Sequence, residues 1–168
     1  GSMRVQVQKL AQKDVWQSDL ITGKNKTDTV DQGILNIALG SGTSTPIDTN
    51  GKTYSQLVTE INKISGVQAS LVEDSAGNFR LSIKSTETGS ANKINFTGSD
   101  SSALGHFGFD KTANNVLQAQ DMQLKADGVD YSSSSNTITI DGLKITATKE
   151  SGDSTINIEN DTTTLSAQ

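Results

Sequence analysis

Apolar side chains recur at every second position in most of the segments that carry them. Val5 and Val7 alternate with Arg4, Gln6 and Gln8, and Val67, Ala69 and Leu71 alternate with Gln68 and Ser70. Phe79, Leu81 and Ile83 alternate with Arg80, Ser82 and Lys84, and Met122, Leu124 and Ala126 with Gln123 and Lys125. Successive side chains of a strand point to opposite faces, so this period of two buries one face of a sheet and leaves the other to water. The pattern limits the chain to a mainly β fold with thin layers.

One segment departs from it. Leu57, Val58, Ile61 and Ile64 fall on one helical stripe, which predicts a helix over about residues 54–64. Thr53 and Gln56 have the spacing of a capping box, in which each side chain satisfies a backbone donor of the first turn. Gly66 is placed where a left-handed residue would close the helix.

Turn chemistry separates the strands. Asp74 to Asn78 reads as a hairpin turn between Val67–Val72 and Phe79–Lys84. Asp141-Gly142 is a strong two-residue hairpin signal between Thr137–Ile140 and Leu143–Ala147. Ile34–Leu39 reads as a further strand, Ile94 and Phe96 as a short one, and Ile156 and Ile158 as the last. Residues 22–32 are a polar loop or linker.

These elements predict an α+β fold, mainly β: two small antiparallel β-rich subdomains, one inserted in the other, with one principal helix. The lone N-terminal strand, Val5–Leu10, is expected to join the C-terminal β-run. That assigns residues 4–21 plus 115–168 to a base subdomain and 22–114 to an inserted β-α-β-β subdomain. Gly1-Ser2-Met3 reads as a cloning remnant and is left out of the expected fold. A chain that opens inside a strand is expected to be a piece of a longer protein.

Composition removes whole classes of function. Of the 168 residues, 53 are Ser, Thr or Asn and only 32% are hydrophobic, which suits exposed sheets and turns rather than a large helical core. The net charge of −5 lacks the basic footprint of a nucleic-acid binder. No apolar run approaches the length of a membrane span. Without cysteine there are no disulfides, thiolate metal sites or cysteine nucleophiles, and one histidine excludes a multi-histidine metal centre. No cofactor is expected.

No catalytic constellation emerges. His106 stands among Gly and Phe, away from any recognisable nucleophile, and reads as structural or exposed. Glu73-Asp74 and Glu159/Asp161 read as solvated charges rather than a catalytic pair. The turns at 74–78 and 151–154 lack the twelve-residue calcium-loop spacing. The glycines at 105 and 108 do not form a phosphate-cradling loop. What remains is an apolar cluster in a chain poor in aromatics: Trp16, Leu104, Phe107 and Phe109. Such residues serve as interface anchors for self-association or as necessary core. The sequence leaves both open, and argues for a structural or interaction module.

The order of the segments carries a resemblance. Val5–Leu10 followed by Ala11-Gln12 resembles the strand and turn that enter the head of flagellar filament cap proteins, the hook-associated protein 2 family. Ile34–Leu39, Tyr54-Ser55-Gln56-Leu57 to Ile61-Asn62, and Gly66–Ser70 resemble the flagellin-type repeat of flagellar axial proteins. Phe79–Ile83, Thr86-Glu87-Thr88-Gly89, Asn92-Lys93-Ile94, Ala103-Leu104-Gly105 and Phe109-Asp110 continue it. Ala119–Leu124, Asp127-Gly128-Val129, Ser135–Ile138 and Gly142–Thr146 resemble the block that follows. The likeness covers nearly all of residues 4–160.

It implies a secreted, extracellular structural protein at the bacterial flagellum tip, with no enzymatic role. Its partners would be itself, in a ring-like homo-oligomer, then flagellin, whose assembly it would promote, and host surfaces through adhesion. The helical leg, a coiled coil in the full-length protein, is not in this sequence. Other readings are another axial protein (flagellin or a hook–filament junction protein), a carbohydrate-binding adhesive β-module, or an enzyme.

Overall fold

The chain is α+β and mainly β in a computed structural model that describes residues 2–150, 153–157 and 163–165. The first strands are β1 (Ser2–Lys9), β2 (Val15–Gln17), β3 (Ile34–Leu39) and β4 (Thr45–Asp48). Helix α1 (Tyr54–Ile61) leads to β5 (Val67–Glu73), β6 (Phe79–Ser85) and β7 (Ile94–Asn95). Helix α2 (Ser101–Phe107) precedes β8 (Asn115–Leu117), β9 (Met122–Ala126) and β10 (Val129–Ser133). The last strands are β11 (Thr137–Ile140), β12 (Leu143–Ala147), β13 (Asp153–Asn157) and β14 (Thr163–Leu165). The expected Ile158 and the carboxylates Glu159 and Asp161 lie outside the described residues.

The chain divides into two units. The first comprises Gly1–Gln12, Glu87–Ser90 and Ala119–Gln168, and the second Lys13–Thr86 and Ala91–Gln118. The expected boundaries at 21/22 and 114/115 differ from this division. Residues 13–21 and 115–118 fall in the second unit because β2 pairs with β6 on one side and β8 on the other.

In the first unit, β1 lies between β9 and β13 in an antiparallel sheet of order β10-β9-β1-β13. A second sheet has the order β11-β12-β14, with β12 and β14 parallel. Val5, Val7, Met122, Leu124, Leu143 and Ile145 are buried between them, on the alternate positions that the sequence marks. Met3 joins that core at 3% exposure, so the residues set aside as a remnant contribute to β1. Asp127 and Asp141 have φ near +50° ahead of Gly128 and Gly142, the backbone that a two-residue hairpin of matching twist requires. Glu87–Ser90 also belongs here. The Thr88 hydroxyl donates to Ser134 O at 2.6 Å, and the Ser90 amide and hydroxyl donate to Asp121 at 2.9 and 3.0 Å.

The second unit has the antiparallel sheet β5-β6-β2-β8 and the smaller sheet β4-β3-β7. The capping box of α1 is present in both halves: Gln56 N donates to Thr53 Oγ1 at 3.1 Å, and Thr53 N to Gln56 Oε1 at 2.9 Å. The helix is shorter than expected. It ends at Asn62, and Gly66 takes its positive φ four residues later, just before β5. Leu57 and Ile61 are fully buried against Leu35, Ile37, Leu81 and Ile83. Beyond the one helix expected, Ser101–Phe107 forms a second, closed by Gly108 in the left-handed conformation.

Candidate functional site

The aromatic cluster assembles from four parts of the second unit. Trp16 comes from β2, Phe96 follows β7, Phe107 ends α2 and Phe109 follows its cap. Phe96 and Phe109 stack with centroids 4.4 Å apart, and Trp16 meets both edge-on at 5.2 and 6.1 Å. Phe107 joins Phe109 at 5.6 Å and Tyr54 at 6.4 Å. Trp16, Phe107 and Phe109 are buried, and Leu104 packs half-buried against the same cluster. The structure therefore brings all four sequence-marked residues to one place. They line or underlie a shallow apolar depression of about 340 Å³, whose walls include Trp16, Ile94, Phe96, Leu104 and Phe109. Edge-to-face and offset rings contribute about 0.5–1.5 kcal/mol per pair beyond their buried area, so the cluster is a rigid support for the surface above it.

Gly108 makes the turn from Phe107 to Phe109 possible. Its φ is +71°, and a Cβ there would stand 2.5 Å from Asp19 Oδ2. Asp19 receives Lys111 Nζ at 2.7 Å and Asn114 Nδ2 at 3.0 Å, hydrogen bonds that hold its carboxyl below the usual carboxylate range.

A residue without any local sequence signal organises the centre. Asp14 is fully buried. Its Oδ2 accepts from Ile94 N at 2.8 Å and Trp16 Nε1 at 3.2 Å, and its Oδ1 from Asn115 Nδ2 at 3.2 Å. One carboxylate thus ties β2, β7 and β8 together and fixes the indole. Its partners lie 80 and 101 positions away, beyond the reach of any local pattern.

His106 does not meet a nucleophile. Its Nε2 lies 2.8 Å from the Tyr54 hydroxyl, at the start of α1. Burial, and secondarily the charge of Lys24, push the imidazole below its ordinary pKa, while burial and then Asp28 push the Tyr54 phenol up. Both are neutral at pH 7, and a neutral imidazole protonated on Nδ1 accepts a hydrogen bond from the phenol at Nε2. Glu73 pairs with Lys26 at 3.6 Å, and Asp74 Oδ1 accepts the amides of Ala76 and Asn78 as an ordinary turn carboxylate. Among the described residues no cluster of three His, Cys, Asp or Glu could hold a metal, and no helix is long and apolar enough to cross a membrane.

The fold agrees with known structures. No family model and no curated protein matches the sequence. Solved structures do. The D1-D2-D3 domains of the flagellar cap protein FliD from Escherichia coli align at TM-score 0.68 and 26% identity, over 83% of this chain and 44% of that one. The D2-D3 domains of the same protein align at TM-score 0.66 and 27% identity, over 82% and 76%. The D2-D3 domains of FliD from Serratia marcescens align at TM-score 0.70 over 95% of this chain and 93% of that one, at 22% identity.

The fold is that of the head domains of flagellar cap proteins. Within that class it fits the D2-D3 portion of FliD. It spans under half the length of the Escherichia coli D1-D2-D3 structure.

Proposed function

We propose that this chain is part of the head of a flagellar filament cap. It acts as a structural, non-catalytic element at the extracellular tip of the filament. The observation that carries the reading is the alignment of most of the chain with FliD D2-D3 structures, at 26% and 27% identity for the Escherichia coli protein. In the whole protein, a ring-like homo-oligomer carried on a helical coiled-coil leg would promote insertion of flagellin, and its exposed head would meet host surfaces. A polar, cysteine-free chain with a small core suits a protein that crosses a narrow secretion channel unfolded and refolds outside.

The test is deletion of residues 22–114 from the full-length protein in its own cell. Shortened filaments, flagellin released into the medium and lower adhesion are expected. Unchanged filament length, motility and adhesion would refute the reading.

A further inference from the structure

Asn50-Gly51 is the one Asn-Gly pair in the chain. Such a pair carries a reaction that needs no enzyme. Once the Gly51 nitrogen loses its proton, it attacks Asn50 Cγ. A new C–N bond closes a cyclic imide, the bond to the side-chain nitrogen breaks, and ammonia leaves. Water then opens the imide at either carbonyl, giving aspartate or an isoaspartyl linkage. Glycine favours the attack because no Cβ shields its nitrogen. A Cβ built at Gly51 would meet nothing within 4 Å, and both residues are exposed, so water and hydroxide reach them.

The fold nevertheless holds both reacting groups. Lys52 N donates to Thr49 O at 3.2 Å and Gly51 has φ +76°, so residues 49–52 form a type II turn with glycine third. The Gly51 N–H donates to Asp31 Oδ1 at 2.8 Å. The Asn50 side-chain oxygen accepts Gly33 N at 3.1 Å. Asp31 reaches this place with φ +52°, a left-handed backbone that costs energy at a residue with a Cβ. Its other oxygen accepts the Thr29 hydroxyl at 2.8 Å, which fixes the carboxylate from both sides.

A carboxylate on that proton can act as base or as lock, and its basicity decides. The Gly51 amide, and then the Thr29 hydroxyl, hold Asp31 below the ordinary carboxylate range, far from the basicity that removes a proton from an amide. Its negative charge also disfavours an amide anion beside it.

We propose that Asn50 is a site of spontaneous deamidation and that Asp31 slows the reaction by holding the Gly51 proton. Aspartate at 50 sets another carboxylate beside Asp48, whose Oδ1 accepts Asn50 N at 3.0 Å. The isoaspartyl product instead lengthens the main chain of the turn by a methylene. That turn adjoins the entry to α1, where Val30 N donates to Lys52 O at 2.8 Å and Tyr54 N to Asp28 O at 3.2 Å. Modification therefore loosens the start of the helix.

The chain is incubated in mildly alkaline buffer beside a blocked peptide of residues 46–54. Acid at position 50 is read by peptide mass, and the isoaspartyl form by enzymatic methylation. The folded chain is expected to react at least about tenfold more slowly than the peptide, and Asp31→Gly about tenfold faster than the parent chain. Glycine adopts the backbone of residue 31 freely, and Trp16 fluorescence confirms that each variant is folded. Asp48→Ala, which frees the Asn50 amide instead, should leave the rate near that of the parent, and Asn50→Gln should abolish the product. Asp31→Gly reacting at the parent rate or more slowly would overturn the proposal, as would equal acceleration by Asp48→Ala. A parent chain that reacts as fast as the peptide would overturn it too. Hydrogen exchange at the Gly51 amide of the unaltered chain is an independent readout: protection relative to the peptide is expected, and exchange at the peptide rate would refute the lock.

Discussion

Replacing Asp14 by alanine takes the carboxylate acceptor from two buried donors, Ile94 N and Trp16 Nε1, while Asn115 Nδ2 keeps Val15 O and Leu117 O at 3.1 Å. Each buried donor left without a partner costs about 1–3 kcal/mol, and relaxation of the site recovers part of that. The sum expected for D14A is about 3–5 kcal/mol, a large share of the roughly 5–15 kcal/mol that holds an ordinary domain together. Asp14→Asn keeps one oxygen for Ile94 N and Trp16 Nε1 but turns an amide toward the amide of Asn115. Its cost should be about 1–2 kcal/mol. Trp16 is the only tryptophan in the chain and is 9% exposed, so its fluorescence reports this unit without labelling. In urea unfolding, with a slope of about 2 kcal/mol per M, D14A should lower the midpoint by about 2 M, and D14N by about a quarter to a half of that. A loss below about 1 kcal/mol for D14A would refute the assigned role, as would D14N being equal to D14A.

The remaining expectations follow from single contacts. His106 has a lowered pKa in the folded state, so its contribution is complete above about pH 6.5 and is lost as pH falls through the folded value. The Trp16 urea midpoint should drop between pH 7.5 and 5.0, before the carboxylates titrate, and His106→Gln should flatten that slope. Thr53→Ala breaks the capping box and should cost about 1 kcal/mol in the same assay, with Thr53→Ser nearly neutral. Gly89 has φ +108°, and a Cβ there would lie 2.9 Å from Ser134 O, so Gly89→Ala should cost about 1–3 kcal/mol. Faster hydrogen exchange in β9–β12, with the Trp16 midpoint unchanged, is the expected signature.

Local chemistry was legible in the sequence. The alternation around Leu124 and Leu81, the turn at Asp141-Gly142 and the Thr53–Gln56 cap each lie within a few residues, and all appear in the structure. Elements whose signal is weak or contradictory were not. Helix α2 has seven residues with Gly105 inside, too short to show a stripe. Strand β4 contains Pro46, which reads against a strand although it is tolerated at a sheet edge. Strand β8 has two exposed apolar residues and no alternation to declare it. The site was half legible. Scarcity of aromatics marked Trp16, Phe107 and Phe109, but Asp14 gains its meaning only when segments 80 and more residues apart meet.

Where this chain sits on the flagellum tests the account most directly. An antibody raised against residues 13–118 and detected with gold by electron microscopy on intact cells separates the alternatives in one image. The account requires label confined to the distal ends of filaments. Label along their length would make the protein a filament subunit, label at the hook a junction protein, and an unlabelled flagellum would contradict the cap reading outright.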